Sequence, residues 1–78
     1  MSVALTATEF RLVQYLAENR GAVLSKAQIL SAIWGFDAYD PNIVEVNISA
    51  LRRKLDAHGP RLLHTVRGMG YVLRAENG

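Results

Sequence analysis

After Gly59-Pro60 the hydrophobic spacing of the chain changes, and this change restricts the fold more than any other feature. Before it, apolar residues recur every three to four positions, the spacing of helices with one buried face. After it, Leu62-Leu63-His64-Thr65-Val66-Arg67 and Tyr71-Val72-Leu73-Arg74 are short runs rich in β-branched, aromatic and aliphatic residues. Gly68-Met69-Gly70 separates them. Two such runs around a glycine turn predict a β-hairpin over about residues 62–74.

Three helical segments precede the hairpin. Thr6-Ala7-Thr8-Glu9 fits a capping box, in which the Thr hydroxyl and the Glu carboxylate each satisfy a backbone N–H at the helix start. Phe10, Val13, Leu16 and Ala17 follow at helical spacing, with Leu12 and Tyr15 widening the stripe. Asn19-Arg20-Gly21 is a stop, because glycine tolerates the left-handed conformation. A helix over about 7–19 results. Ser25-Lys26-Ala27-Gln28 is a second capping box, followed by Ile29, Leu30, Ile33 and Trp34 and closed by Gly35. A loop through Phe36-Asp37-Ala38-Tyr39 leads to Asp40-Pro41, an Asp cap with proline at the first helical position. Asn42 with Glu45 is a rival start. The third helix runs over about 41–57. Three helices and a hairpin make an α+β fold, mostly α, in the order of a helix-turn-helix followed by a wing. Repeats and low-complexity segments are lacking, so residues 1–78 read as one domain.

Composition excludes several functions. A chain of 78 residues buries roughly 60% of its unfolded surface, so modest stability is expected. It has no cysteine, which excludes disulfides, cysteine-ligated zinc and thiol catalysis. No apolar run approaches the roughly 18 residues of a membrane helix, and no basic segment leads a long apolar one as in a signal peptide. A cytosolic location, with no membrane partner, is expected. The two histidines, His58 and His64, and the scattered carboxylates form no Ser-His-Asp or metal-ligand spacing. His58 reads as a dipole partner at a helix C-terminus and His64 as a strand surface residue. Neither an enzyme nor a metal or cofactor site is expected.

The net charge of +2 says little, but its distribution says more. Residues 1–50 carry Arg11, Arg20 and Lys26 against Glu9, Glu18, Asp37, Asp40 and Glu45, a net −2. Residues 51–78 carry Arg52, Arg53, Lys54, Arg61, Arg67 and Arg74 against Asp56 and Glu76, a net +4. A polyanion-binding surface has this asymmetry. A solvated basic helix end with scattered surface arginines has it too. On a wheel of about 100° per residue, Val44, Ile48, Leu51 and Leu55 of the third helix form a core stripe within roughly 60°. Opposite lie Asn42, Val46, Ser49, Ala50 and Arg53, with Asn47 and Lys54 on one flank and Arg52 and Asp56 on the other. This outer face reads as acid-free, short-chained at its middle and cationic toward its C-terminal half. A helix in a major groove needs small or hydrogen-bonding residues against base edges and cations against phosphates. Asn pairs with adenine, and Val or Ala touches a thymine methyl. A plain amphipathic helix of low charge is the competing reading.

The hairpin is a separate signal. Arg67 immediately precedes Gly68-Met69-Gly70, so it projects from a tight exposed turn, where an arginine can enter a minor groove. Thr65 and Tyr71 flank it with hydroxyls able to donate to phosphate. Thr65 is equally a strand-former, and Tyr71 a half-buried cross-strand partner.

Four motifs occur in order: Leu5-Thr6-Ala7-Thr8-Glu9-Phe10-Arg11-Leu12-Val13; Leu24-Ser25-Lys26 with Ile33-Trp34-Gly35; Val44-Glu45-Val46-Asn47-Ile48-Ser49-Ala50-Leu51-Arg52-Arg53-Lys54-Leu55; and Thr65-Val66-Arg67-Gly68-Met69-Gly70-Tyr71-Val72-Leu73. Together they resemble the OmpR/PhoB-type effector domain of bacterial two-component response regulators, over residues 5–74. The resemblance implies sequence-specific binding of double-stranded DNA, at a direct-repeat operator, for transcriptional regulation. It implies a recognition helix with Val46, Asn47, Ala50 and Arg53 facing bases and Ser49, Arg52 and Lys54 near phosphates. It implies a wing with Thr65 and Tyr71 on the DNA backbone and Arg67 in the minor groove. Trp34 would anchor the second helix and reach phosphate through its indole N–H. The loop at 35–40 matches one that touches RNA polymerase in some members.

Two departures from the family stand out. Members begin the domain with a four-stranded sheet, of which Val3-Ala4-Leu5 would be a remnant, and carry a receiver domain that answers to a sensor kinase. The chain therefore reads as a fragment with that sheet largely missing. Ala50 stands where many members have a longer polar side chain, which shifts base readout toward Asn47, Arg53 and DNA shape. A winged helix that binds a protein instead of DNA is the alternative function. Such domains lose the basic outer face, and Arg52, Arg53, Lys54 and Arg67 argue against it.

Overall fold

A computed structural model describes residues 4–35, 40–57 and 59–75. In chain order the elements are α1 (Ala7–Glu18), α2 (Lys26–Trp34), α3 (Asn42–Asp56), β1 (Leu63–Val66) and β2 (Gly70–Leu73). Both capping boxes form. The Thr6 hydroxyl accepts from the Glu9 amide at 3.1 Å, and the Thr6 amide donates to the Glu9 carboxylate at 2.9 Å. Ser25 and Gln28 make the same exchange at 3.1 and 2.8 Å. α3 starts by another route. Asp40 Oδ1 accepts from the Asn42 amide at 2.9 Å, and Pro41 already has helical backbone angles, φ −64° and ψ −14°. The Asn42–Glu45 start is not used, because Glu45 is turned to Lys26.

β1 and β2 pair antiparallel, with Leu63 opposite Leu73 and Val66 opposite Gly70. Gly70 therefore belongs to the ladder, and the turn is Arg67-Gly68-Met69, closed by a bond from the Met69 amide to the Val66 carbonyl at 2.9 Å. Leu24 lies beside Tyr71 and exchanges two backbone bonds with it, at 2.8 and 2.9 Å. The connection between α1 and α2 is thereby fixed to the hairpin.

The core gathers Leu12 and Leu16 of α1, Ile29 and Ile33 of α2, Val44, Ile48 and Leu51 of α3, and Leu63, Tyr71 and Leu73 of the hairpin. The α3 stripe is the one that its spacing predicts, with Leu55 only partly covered. In α1 Leu12 and Leu16 of the expected stripe are buried and Val13 and Tyr15 pack half-buried against the core, whereas Ala17 is exposed and Glu9 is buried in their company. Phe10 is 58% exposed. Glu9 meets Lys54 of α3 in an ion pair. Among the described residues, no helix is long and apolar enough to cross a membrane.

Candidate nucleic-acid interface

The exposed side of α3 is built by what its inner side buries. With Val44, Ile48 and Leu51 fixed in the core, the 3.6-residue repeat turns Val46, Ser49 and Arg53 to solvent and leaves Ala50 half-buried between them. Val46 is 66% exposed, a large apolar surface with nothing covering it. These four residues and Glu45 line a shallow hollow of about 410 Å³. Such a hollow offers methyl groups, a hydroxyl and a guanidinium to whatever enters it. Asn47 is less free. Its amide nitrogen donates to the Ile43 carbonyl at 2.8 Å, so only the side-chain oxygen is available without breaking that bond. Two-point pairing with adenine would require the bond to open.

On the hairpin, Thr65 and Arg67 are exposed. Arg52 Nη2 donates to Thr65 Oγ1 at 2.5 Å, which ties α3 to β1. The Thr65 hydroxyl accepts that bond and keeps its own proton, so it can still donate to an anion. Arg52 thus acts as a brace between helix and hairpin. Trp34 is half-buried at the end of α2 and packs on the core, as an anchor would.

Two residues sit otherwise than a phosphate contact would require. Lys54 points back toward α1. Its ammonium donates to the Glu9 carboxylate at 2.6 Å and to the Ala4 carbonyl at 3.0 Å. Glu9 is 4% exposed, and the Lys54 hydrogen bond, with a second from the Thr6 backbone, holds its carboxyl below the usual value against the opposing effect of burial. Lys54 is therefore engaged with α1 and the segment before it. Tyr71 is 6% exposed, its ring part of the core. The part of it that lines the cleft beside Lys26 is all that a ligand could meet.

That cleft, about 480 Å³, lies between the start of α2 and the hairpin, with Glu45 of α3 also lining it. Ser25, Lys26 and Ala27 of the α2 start form one wall, Glu45 another, and Thr65, Gly68, Met69 and Gly70 face them. Lys26 Nζ donates to Glu45 Oε1, and this bond raises the lysine above its ordinary value. The outer side of α3 is not acid-free: Glu45 borders both the cleft and the shallow hollow. Its position on the wheel, on the flank of Arg52, gave no sign of this. The 19-residue separation of Lys26 and Glu45 is closed only by the packing of α2 on α3. Among the described residues, no three His, Asp or Glu side chains gather as a metal site would need.

The family described as the C-terminal part of transcriptional regulatory proteins matches residues 1–73. The chain belongs to this family, the OmpR/PhoB type. PrrA of Mycobacterium tuberculosis, named a transcriptional regulatory protein, is 58% identical over 78 residues, 97% of this chain and 34% of the relative. The chain thus spans about a third of that relative's length. The DNA-binding domain of the response regulator AdeR, solved with an intercistronic region, superposes with a TM-score of 0.84 at 28% identity, covering 95% of this chain and 76% of that one. The RstA DNA-binding domain of Klebsiella pneumoniae, solved with the RstA box, gives 0.78 at 34% identity, over 92% and 74%. In this OmpR/PhoB-type domain α2 and α3 are the helix-turn-helix pair, and the β1–β2 hairpin is the wing. Of its 35–40 loop, residues 36–39 lie outside the described residues, as do Val3 and His58.

Proposed function

We propose that this domain binds double-stranded DNA sequence-specifically to regulate transcription, with α3 in a major groove and the wing at the adjacent minor groove. One observation carries the reading. The solvent face of α3 presents Val46, Ser49, Ala50 and Arg53 beside a cleft, and across that cleft stands a hairpin whose turn bears Arg67. Val46, Ala50, Arg53 and the Asn47 oxygen would meet base edges. Ser49, Arg52 and Thr65 would meet phosphate, with Trp34 at the rim. The solved relatives that hold DNA support the DNA-binding reading. On the same reading a direct-repeat operator is the target, RNA polymerase is a partner through the 35–40 loop, and the full-length protein adds a receiver domain that answers a sensor kinase in the cytoplasm.

A salt titration tests the function. Each neutralised phosphate releases counterions, so the logarithm of affinity should fall linearly with the logarithm of salt, by about 0.9 per contact. An affinity for duplex DNA that stays constant from low to moderate salt would transfer the domain to the protein-binding alternative.

Arg67 gives a sharper prediction. A narrow A·T minor groove concentrates negative potential that a wide G·C groove lacks. Arg67→Ala should weaken binding by about 1–3 kcal/mol, and more on an A·T-rich flank than on a G·C-rich one. Equal losses on both flanks, measured by fluorescence anisotropy, would contradict insertion into the groove.

A further inference from the structure

A duplex that takes α3 in its major groove and the wing tip in the neighbouring minor groove must pass one sugar–phosphate strand between them, because that strand separates the two grooves. The cleft that the α2 start and Glu45 of α3 form with the hairpin is the space it would occupy. That space is lined by one cation and one carboxylate, Lys26 and Glu45, and the two are bonded to each other. Their side chains keep 42% and 47% of their surface in water, so both are within reach of an incoming strand. Glu45 is also the one carboxylate bordering either hollow among the described residues. A surface made only to attract DNA has no use for an acid there.

We propose that Glu45 is a specificity-determining residue that acts by withholding Lys26 from loosely docked DNA. The proposal rests on the DNA-binding reading. A phosphate brought close into the cleft competes with the Glu45 carboxylate for the ammonium, since the attraction grows as the distance falls. A duplex whose sequence lets α3 seat fully places a phosphate there and captures Lys26. A random duplex, held farther out by an imperfect fit, leaves Lys26 on Glu45 and gains nothing from it. The pair thus removes one contact from non-specific binding and keeps it for the seated complex.

Two substitutions reach the pair from opposite sides. The probes are a duplex selected by this chain from a random pool and a scrambled duplex of the same length and composition. E45Q should steepen the salt dependence on the scrambled duplex by about 0.9, one more phosphate contact, and leave that on the selected duplex nearly unchanged. Lowering salt from about 200 to about 50 mM should then widen the E45Q advantage on scrambled DNA by roughly three- to fourfold. K26Q should do the reverse, flattening the selected duplex by about 0.9 and sparing the scrambled one. The double variant should lose the E45Q gain. Salt-dependent binding by the unsubstituted chain, with slopes that E45Q and K26Q do not change, overturns this proposal alone. A gain that survives in the double variant overturns it as well, because loss of a negative charge would then suffice. Absence of any salt-dependent duplex binding overturns the DNA-binding reading and this proposal with it.

Discussion

Gly70→Ala should cost about 3 kcal/mol or more of folding stability, against a total of roughly 4–12 kcal/mol for a domain of this length. A Cβ at position 70 would overlap the Leu24 carbonyl oxygen and stand 2.7 Å from the Leu24 carbonyl carbon and 2.9 Å from Ser25 Cα. All three are backbone atoms, so no side chain can rotate away. The backbone there also has φ +146°, which residues with a Cβ rarely adopt. Retreat of the hairpin is opposed on two sides. Leu24 holds Tyr71 through two backbone bonds, and Ser25 is the cap of α2. Any shift that relieves the overlap therefore loosens the strand bridge and the helix start together. Gly68→Ala is the control. Position 68 has φ +76° with nothing within 4 Å, so only the left-handed backbone preference is lost, about 1 kcal/mol. Urea unfolding followed by circular dichroism compares the two. A Gly70→Ala cost no larger than that of Gly68→Ala would show that the hairpin slides off Leu24 freely.

This contrast marks where sequence pattern stops being informative. Both glycines were legible as turn residues, yet only contact with Leu24, 46 positions earlier, makes one of them irreplaceable. The capping boxes at Thr6 and Ser25 and the stripe Val44-Ile48-Leu51 are local along the chain, and the structure keeps each of them. The buried face of α1 was not legible in the same way. Leu12, Val13, Tyr15 and Leu16 spread apolar surface over a wide arc, and a carboxylate such as Glu9 ordinarily marks the wet side. The burial of Glu9 among them depends on an ion pair with Lys54, 45 residues on. The candidate interface divides similarly. Val46, Ser49 and Arg53 follow from helical geometry once the core stripe is known. The Arg52–Thr65 brace, the Asn47 bond to Ile43 and the Lys26–Glu45 pair depend on packing or rotamers that periodicity does not encode.

Lys54→Met should therefore damage the fold and spare the DNA contacts, the opposite of what a phosphate-binding lysine would do. Glu9 is buried and accepts from Lys54 and from the Thr6 amide. Removing the ammonium leaves a carboxylate desolvated with one partner gone. For two fully buried partners the cost would be about 3–5 kcal/mol. The Lys54 side chain keeps 35% of its surface in water, which reduces it to about 2 kcal/mol. The pH dependence identifies the cause. Glu9 titrates below its ordinary value of 4.5, so in the unsubstituted chain its contribution is complete above that pH. It is lost as the pH falls through the lower folded value, where the native carboxylate takes up its proton. Without Lys54 the largest cause of the lowering is gone and only the Thr6 hydrogen bonds are left to oppose burial, so the carboxyl is lowered less. Lys54→Met should thus start less stable at pH 7 and lose less on acidification to about pH 3, so that the two urea midpoints converge. Its salt slope on duplex DNA should match that of the unsubstituted chain, whereas loss of a phosphate contact would flatten it by about 0.9. Full stability at pH 7 combined with a flatter slope would return Lys54 to the DNA surface.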